Sequence, residues 1–253
     1  MTSDKPSPTE STEIAHLRRE LAIARAELQD FTSTVSHDLR APLRHINAFA
    51  QVIVEDLPNA PPDILGHLTI IRQSAQLLTQ QLDGLTALSR LGLKALNLQA
   101  VDVNALVRDL ACEMAQGPYQ TNVQWHLAQD IPLVWTDAVL LRQVLHHVLD
   151  NACKFSRDRL PAQIRLEWQI NSEGLCHICV RDNGVGFAPE QAGKLFKVFA
   201  KLHSLRDVNG LGLGLVSSRK ILQRLGGSMS IEASLSAGCC VAMNLPLATI
   251  KAN

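Results

Sequence analysis

The segment SHDLRAP at residues 36–42 lies inside a long stripe of apolar residues that has helical spacing. The stripe steps alternately by three and four positions, slips by one residue after Val35, and then continues: Ile14, Leu17, Leu21, Ala24, Leu28, Phe31, Val35, Leu39, Leu43, Ile46, Ala50, Ile53, Leu57. Such a repeat predicts a long amphipathic helix that packs against other helices. The slip falls beside His37, which lies off the stripe, so its side chain is predicted to face solvent.

A second helix is predicted after Pro58, Pro61 and Pro62, which interrupt the first. Its apolar stripe comprises Ile64, Leu68, Ile71, Ala75, Leu78, Leu82 and Leu85. Two amphipathic helices joined by a short Pro-rich turn predict an antiparallel hairpin. One hairpin cannot cover its own apolar faces, so a homodimer that forms a four-helix bundle is expected. The alternative is a monomeric hairpin packed as a cap on the second domain.

From about residue 101 the pattern changes to alternating strands and helices. The predicted elements are a helix at 103–114, strands at 123–127 and 133–135, a helix capped by Thr136 or Asp137 and running to 154, strands at 163–170 and 175–182, a helix at 213–225 ended by Gly226 and Gly227, and strands at 228–233 and 240–245. These predict a mixed sheet with helices on one face, which together with the hairpin gives an α+β fold. The expected domains are a disordered segment at 1–12, the helical domain at 13–97 and the α/β domain at 98–249.

The composition excludes several classes of function. The 253 residues are 46% hydrophobic and carry 24 basic and 24 acidic side chains. This balance gives no reason to expect nucleic acid or an acidic membrane as a partner. No apolar run approaches the ~18 residues of a membrane span, and the polar start is unlike a secretory signal, so a cytoplasmic protein without membrane insertion is expected.

The six cysteines do not form a ligand pattern. Cys176 and Cys179 have the spacing of a metal motif, but they lie on a predicted strand, where residues three apart point to opposite faces. A structural role is therefore favoured over zinc, and the same holds for Cys239 and Cys240.

His37 is the candidate nucleophile of the helical domain. A neutral imidazole nitrogen is nucleophilic near pH 7, and a carboxylate such as Asp38 can orient the ring or take the proton from its other nitrogen. Pro42 removes the amide that would bond the carbonyl of Asp38, which opens the helix beside the histidine. The alternative for an isolated His-Asp pair is a solvated surface without catalytic function.

The α/β domain carries a candidate nucleotide site. Asn151 and Lys154 share a helix face, where an amide oxygen suits Mg²⁺ and a lysine suits phosphate. Asp182 ends a predicted strand and can accept a hydrogen bond from an exocyclic amine such as that of adenine. Glycine turns follow, with free amides before a helix that favour an anion. The glycines are Gly184, Gly186, Gly210, Gly212 and Gly214.

Taken together, these segments resemble the two-component sensor histidine kinases, which join a dimerisation and phosphoacceptor domain to the ATP-binding domain shared with gyrase, Hsp90 and MutL-type ATPases. The matching segments are the H box at 37–43, the N box at 150–155, the glycine boxes at 182–187 and 210–215, and the phenylalanine box at 195–199. The stretch at 196–203 is similar to kinases attached to phytochrome-type photoreceptors.

The resemblance implies a role for each matching residue. His37 is the phosphorylated residue and Asp38 its acid-base partner. ATP and Mg²⁺ are the implied cofactors, with Asn151 on the metal, Lys154 on the phosphates and Asp182 on the adenine. The glycines and Phe199 complete the nucleotide pocket. A response regulator with a receiver domain is the implied partner, and the signal is expected through the N-terminal coil or a separate sensor protein.

The sequence departs from the family pattern at several positions. His147 stands where an asparagine is usual, which puts a poorer Mg²⁺ ligand at a metal position. Ala41 replaces the Thr or Asn of dual-function members, so little phosphatase activity is expected. The lid at 204–209 is short, and Leu211 stands where a smaller or polar residue is common.

The expected function is ATP-dependent autophosphorylation of His37 and transfer to an aspartate of a response regulator. His147 and the short lid motivate an alternative, a catalytically weak dimeric adaptor that binds nucleotide and regulates a partner kinase. An ATPase that moves its domains is less favoured, because it leaves His37 without a function.

Overall fold

The structure, a computed structural model, describes residues 8–92, 95–116, 123–202 and 210–248. The chain divides into two compact units, Met1–Arg90 and Leu91–Asn253. The predicted lid at 204–209 and residues 1–7 of the predicted disordered segment lie outside the described residues. None of the described helices combines the length and apolarity that a membrane span requires.

The first unit consists of the two predicted helices, α1 (Pro8–Asp56) and α2 (Pro62–Arg90), which pack as a hairpin. α1 begins at Pro8, so residues 8–12 are helical and not disordered as predicted. Proline is compatible with the first turn of a helix because its missing amide has no partner there, and the long stripe that follows extends the helix. Pro42 lies within α1, which continues through it.

The hairpin buries only a thin seam of small and apolar side chains. The buried residues are Ser36, Leu43, Ala50, Leu68, Ala75, Thr86 and Leu88. Much of the predicted stripe is exposed on both helices, including Leu28, Phe31, Ile46, Ile53, Ile71 and Leu78. A single hairpin therefore leaves a continuous apolar surface without cover.

The second unit contains two sheets, and its elements follow the predicted order. They are β1 (Gln99–Val101), α3 (Val103–Gln116), β2 (Val123–Leu127), β3 (Val134–Thr136), α4 (Ala138–Ser156), β4 (Ala162–Ile170), β5 (Leu175–Asp182), a 3-10 helix (Pro189–Phe196), α5 (Gly214–Arg224), β6 (Ser228–Ser234) and β7 (Gly238–Pro246). The main sheet has the order β2-β4-β5-β7-β6, with β2 and β4 parallel and the other pairs antiparallel. The mixed sheet is thus confirmed. β1 and the 3-10 helix were not predicted, because three residues carry no periodic pattern and a 3-10 helix does not follow the period of an α-helix.

Helices cover one face of the main sheet, as predicted. Leu141, Leu145 and Leu149 recur every fourth residue of α4 and are fully buried. They join the sheet residues Ile164 and Ile178 in one core. Burial of each such side chain stabilises the fold by about 1.5 to 3 kcal/mol. No helix in the described part of this unit packs on the opposite face of the sheet.

The boundary between the units lies at Arg90 and Leu91, earlier than the predicted boundary after residue 97. Leu91 and Leu96 pack against the core of the second unit. The amide of Asn97 donates to Asp137 Oδ2 at 2.9 Å, while Asp137 Oδ1 caps α4 by accepting from the amides of its first turn. The connecting segment therefore belongs to the second unit.

The four cysteines on strands divide between the two faces of the sheet. Cys176 lies in the core and Cys179 on the open face, as the strand spacing predicted. Cys179 forms a disulfide with Cys240 of β7, which was not predicted. Among the described residues, no group of three or more His, Cys, Asp or Glu side chains could hold a metal ion.

Candidate functional site

His37 projects from the middle of α1 into solvent. Its side chain is 83% exposed, and its Nδ1 lies 3.1 Å from Asp38 Oδ1. In the tautomer that fits this contact, Nδ1–H donates to the carboxylate, which leaves the lone pair of Nε2 directed away from Asp38. The arrangement presents one nucleophilic nitrogen and holds the orientation of the ring.

An ion pair that the sequence did not indicate lies close to His37 along α1. Arg40 donates from Nε and Nη2 to Asp83 Oδ1 of α2, at 3.1 and 2.9 Å. Arg40 follows His37 by almost one helical turn, so the pair ties the two helices together beside the imidazole. No local pattern predicts a partner that is distant in the sequence.

The second unit contains a cavity of about 370 Å³ that most of the predicted nucleotide residues line. One wall is a face of α4, where His147, Asn151 and Lys154 follow one another at intervals of four and three residues. Asp182, at the end of β5, also lines the cavity. The two glycine segments supply Gly186, Gly210, Gly212 and Gly214 to the lining, whereas Gly184, which was also predicted to bind the nucleotide, is not among the lining residues.

Asp182 is buried, with 8% of its surface exposed. Its Oδ1 accepts from the amides of Gly184 at 2.8 Å and Cys239 at 3.2 Å. Burial raises the pKa of Asp182 to about 6, although these two hydrogen bonds and Arg181 act in the opposite direction. The carboxylate is thus mainly charged at pH 7 and positioned by two backbone donors.

The glycines of the first turn allow close approach of the backbone. A Cβ on Gly184 would lie 2.5 Å from the carbonyl oxygen of Phe155 and 2.8 Å from Asp182 Oδ1. Gly186 has a φ of +60°, and a Cβ there would lie 1.9 Å from the carbonyl oxygen of Ser234. These positions cannot take a larger residue without movement of the backbone.

The glycines of the second turn differ from one another. Gly212 has a φ of +70°, and a Cβ would lie 2.7 Å from the carbonyl oxygen of Ala200. Gly214 begins α5, and a Cβ there would meet the ring of His147 at an ordinary 3.5 Å. Gly210 has a φ of +150°, so a side chain is disfavoured at Gly210 and Gly212 but not at Gly214.

Phe199 does not line the cavity, contrary to the prediction that it binds nucleotide. Its backbone takes a φ of +63° and its amide donates to the carbonyl of Gly212 at 3.2 Å. Its contribution is to position the glycine turn. The apolar wall comes from residues that were not predicted: Phe155, Phe187, Leu195, Leu202 and Leu215.

Among the described residues, Lys154 and Lys201 are the two amines that line the cavity. Burial lowers the pKa of Lys154, Asp150 raises it, and Lys201 lowers it further. Lys201 also lines the cavity and was not predicted, since a lone lysine after the phenylalanine box carries no pattern of its own. Paired ammonium groups suit a polyanionic ligand, because its phosphates neutralise their mutual repulsion.

His147 contacts α5 across the cavity wall. Its Nδ1 lies 3.2 Å from Ser218 Oγ, and burial lowers the pKa of the ring despite the opposing effects of Asp150 and the Gly214 backbone. Because the pKa is lowered, the ring is neutral at pH 7. Asn151 offers an amide oxygen, the hard donor that Mg²⁺ prefers, so the residues fit a nucleotide-bound Mg²⁺.

The chain matches two known protein families. Residues 27–94 match the His Kinase A (phospho-acceptor) domain, and residues 136–249 match the histidine kinase-, DNA gyrase B- and HSP90-like ATPase family. The first match contains His37 and the second contains the described cavity residues from His147 to Val241.

Curated relatives support both matches. The chain is 30% identical over 229 residues to cyanobacterial phytochrome B of Nostoc sp., covering 89% of this chain and 30% of that protein. It is 32% identical over 229 residues to the methanogenesis regulatory histidine kinase FilI of Methanothrix harundinacea, covering 90% of this chain and 25% of that protein. The chain thus spans less than a third of the length of these relatives.

Solved structures share the fold. Full-length ShkA in complex with AMPPNP aligns with a TM-score of 0.62 at 25% identity, over 88% of this chain and 47% of that one. The histidine kinase AdeS of Acinetobacter baumannii aligns with a TM-score of 0.55 at 20% identity, over 83% of this chain and 98% of that one. With a phosphoacceptor helix hairpin, an ATPase-type domain and relatives that share both, the chain belongs to the two-component sensor histidine kinases.

Proposed function

We propose that this chain autophosphorylates His37 with ATP and passes the phosphoryl group to an aspartate in the receiver domain of a separate response regulator. The observation that carries the proposal is the exposed imidazole of His37, whose Nδ1 is engaged by Asp38 and whose Nε2 is left for attack. In this reaction Nε2 forms a bond to the γ-phosphorus and the bond to the ADP oxygen breaks. Asp38 stabilises the positive charge that develops on the ring.

The cavity of the second unit is proposed to bind the nucleotide. The carboxylate of Asp182 would accept from the exocyclic amine of adenine, and the apolar wall would contact the base. Lys154 and Lys201 would neutralise phosphate oxygens. Asn151, together with Nε2 of His147, would hold the Mg²⁺, which neutralises charge on the phosphates when bound. Catalysis would then depend mainly on positioning and charge neutralisation.

A homodimer is proposed because the hairpin leaves its apolar stripe uncovered. A second copy would cover the same surface and form a four-helix bundle. The signal is proposed to arrive through the N-terminal part of α1 or from a separate sensor protein, and we propose a cytoplasmic location.

A catalytically weak adaptor is the second candidate function. The contact between His147 and Ser218 favours it, since it engages one ring nitrogen at a proposed metal position. Such a protein would bind nucleotide and a partner kinase without phosphorylating itself.

Incubation with labelled ATP and Mg²⁺ distinguishes these functions. The kinase should incorporate alkali-stable, acid-labile phosphate, which His37→Gln abolishes. His45→Gln is the matched control, because His45 is also exposed on α1 and should leave incorporation intact. Addition of a receiver domain should then move the label to the regulator. Nucleotide binding without incorporation would support the adaptor, and ATP hydrolysis without incorporation would support an ATPase.

A further inference from the structure

The open face of the main sheet carries a cysteine pair that the proposed kinase reaction does not use. Cys179 of β5 and Cys240 of β7 are joined by a disulfide and lie diagonally across the two strands. Cys179 is opposite Glu167 and Ala242, whereas Cys240 is opposite Arg181. Both cysteines are partly exposed, and no described helix packs over this face.

The pair lies directly behind the proposed adenine site. Cys240 follows Cys239, whose amide donates to Asp182 Oδ1, and its strand partner Arg181 precedes Asp182. The disulfide therefore links β5 to β7 next to Cys239, one of the two residues whose amides orient the buried carboxylate. Because residues alternate between faces of a sheet, the sulfurs reach solvent on one side while their neighbours line the cavity on the other.

We propose that Cys179 and Cys240 form a reversible redox site, whose oxidation to the disulfide strengthens nucleotide binding by fixing Asp182 and whose reduction weakens it. The natural reductant would be a protein or small-molecule dithiol, and the oxidant a low-molecular-weight disulfide.

Reduction of the disulfide takes place in two successive thiol–disulfide exchange steps. A thiolate of the dithiol attacks the sulfur of Cys179, the Cys179–Cys240 bond breaks, and Cys240 leaves as a thiolate between its two strand partners, Arg181 and Glu232. The second thiol of the reductant then attacks the mixed disulfide and releases Cys179. Two electrons and two protons pass from the dithiol to the protein.

Three other cysteines of this unit are unsuited to this chemistry. Burial raises the pKa of Cys153 to about 12, that of Cys176 to about 11 and that of Cys239 to about 12, so their thiolates are scarce at neutral pH. Cys112 is exposed on α3 and has no disulfide partner in the described part of the chain. It provides a matched control, since it is an exposed cysteine that does not line the cavity.

The site is tested by counting thiols in the folded full chain. The protein is equilibrated in oxidised glutathione or in dithiothreitol, alkylated without denaturant, and mapped by mass spectrometry. Labels at Cys179 and Cys240 should be absent after oxidised glutathione and return with dithiothreitol. Labels that persist in oxidised glutathione, or that stay absent in dithiothreitol, would overturn the redox site.

The effect of the cysteine redox state on nucleotide affinity rests on the proposed nucleotide site. It is measured separately, as the Kd of a fluorescent ATP analogue in each of the two buffers. Reduction should raise the Kd about fivefold or more. The Cys179→Ser, Cys240→Ser double variant should keep the reduced-state Kd in both buffers, and Cys112→Ser should respond as the parent does. An unchanged Kd would overturn the coupling. Loss of binding in both buffers would overturn the nucleotide assignment and the coupling with it, while the thiol count still decides the redox site.

Discussion

Asp182 combines burial with a negative charge, a combination that destabilises the folded chain and therefore points to a ligand. Two backbone amides, both bound to Oδ1, compensate part of the cost. A neutral asparagine could accept the same two hydrogen bonds. The acidic residue is thus best explained by a donor that enters the cavity, such as an exocyclic amine.

Nucleotide binding should weaken in mild acid. The pKa of Asp182 is raised to about 6, so the free protein takes up a proton as the pH falls through this value. Binding of an amine donor requires the charged form and must then release that proton, so the affinity should fall about tenfold between pH 7.5 and 5. Isothermal titration calorimetry at several pH values measures this. Asp182→Asn is the control, because it cannot titrate and should lack this part of the pH dependence. If nucleotide affinity depends on pH equally in the parent and in the Asp182→Asn variant, Asp182 is not the group that binds the amine.

The glycines should separate into required and replaceable positions. Gly184→Ala places a methyl group 2.5 Å from a backbone oxygen and should cost about 1 to 3 kcal/mol of unfolding free energy, together with nucleotide affinity. Gly214→Ala meets only the His147 ring at 3.5 Å and adds a better helix former, so stability should be kept. Denaturant unfolding measures the free energy of unfolding of both variants. An equal loss of stability in the two would show that the close contacts at Gly184 do not determine the effect of the substitution.

At the scale of elements, α4 joins the core to the site. One face of the helix is buried among the leucines, and another presents His147, Asn151 and Lys154 to the cavity. Because the first face fixes the rotation of the helix about its axis, it also fixes the direction of the second face. His147 adds a link to α5 through Ser218.

His147→Asn should increase the affinity for Mg²⁺. An amide oxygen is a harder donor than an imidazole nitrogen, so the apparent Mg²⁺ affinity of the nucleotide complex should rise about three- to tenfold. Ser218→Ala is the matched control: it removes the partner of Nδ1 and keeps the ring. The Mg²⁺ dependence of nucleotide binding tests both variants. If the asparagine variant behaves as the parent does, His147 is not a metal ligand.

Elements with a clear hydrophobic periodicity were predictable from the sequence. Elements that form only by contact with segments distant in the sequence were not. The strand Leu175–Asp182 was predicted at the observed residues, because apolar residues alternate between two turns. The three-residue β1 depends on pairing with β3 and carries no pattern. The motif predicts that Phe199 binds nucleotide, but Phe199 is not among the residues that line the cavity, and its left-handed backbone and its hydrogen bond to Gly212 carry no signal in the sequence.

For the whole molecule, the exposed stripe of the hairpin decides the oligomeric state. Ile53 and Ile71 are 41% and 44% exposed in a single chain. Replacing either with glutamate would place a charge in the proposed bundle, and sedimentation should show a monomer in place of a dimer. Leu160→Glu is the control, since Leu160 is 82% exposed on the second unit and should not affect assembly. A parent protein that sediments as a monomer at micromolar concentration would contradict the bundle.

The 49-residue length of α1 has a geometric consequence for how His37 can be controlled. A continuous helix of this length is about 74 Å long, and each residue advances the azimuth by about 100°. Insertion of two residues in the part before His37 should therefore rotate the preceding segment by about 200° relative to the imidazole, whereas seven residues nearly restore the original angle. Phosphate incorporation across an insertion series should follow this angular period. A smooth decline with insertion length would mean that torsion along the helix does not reach the histidine.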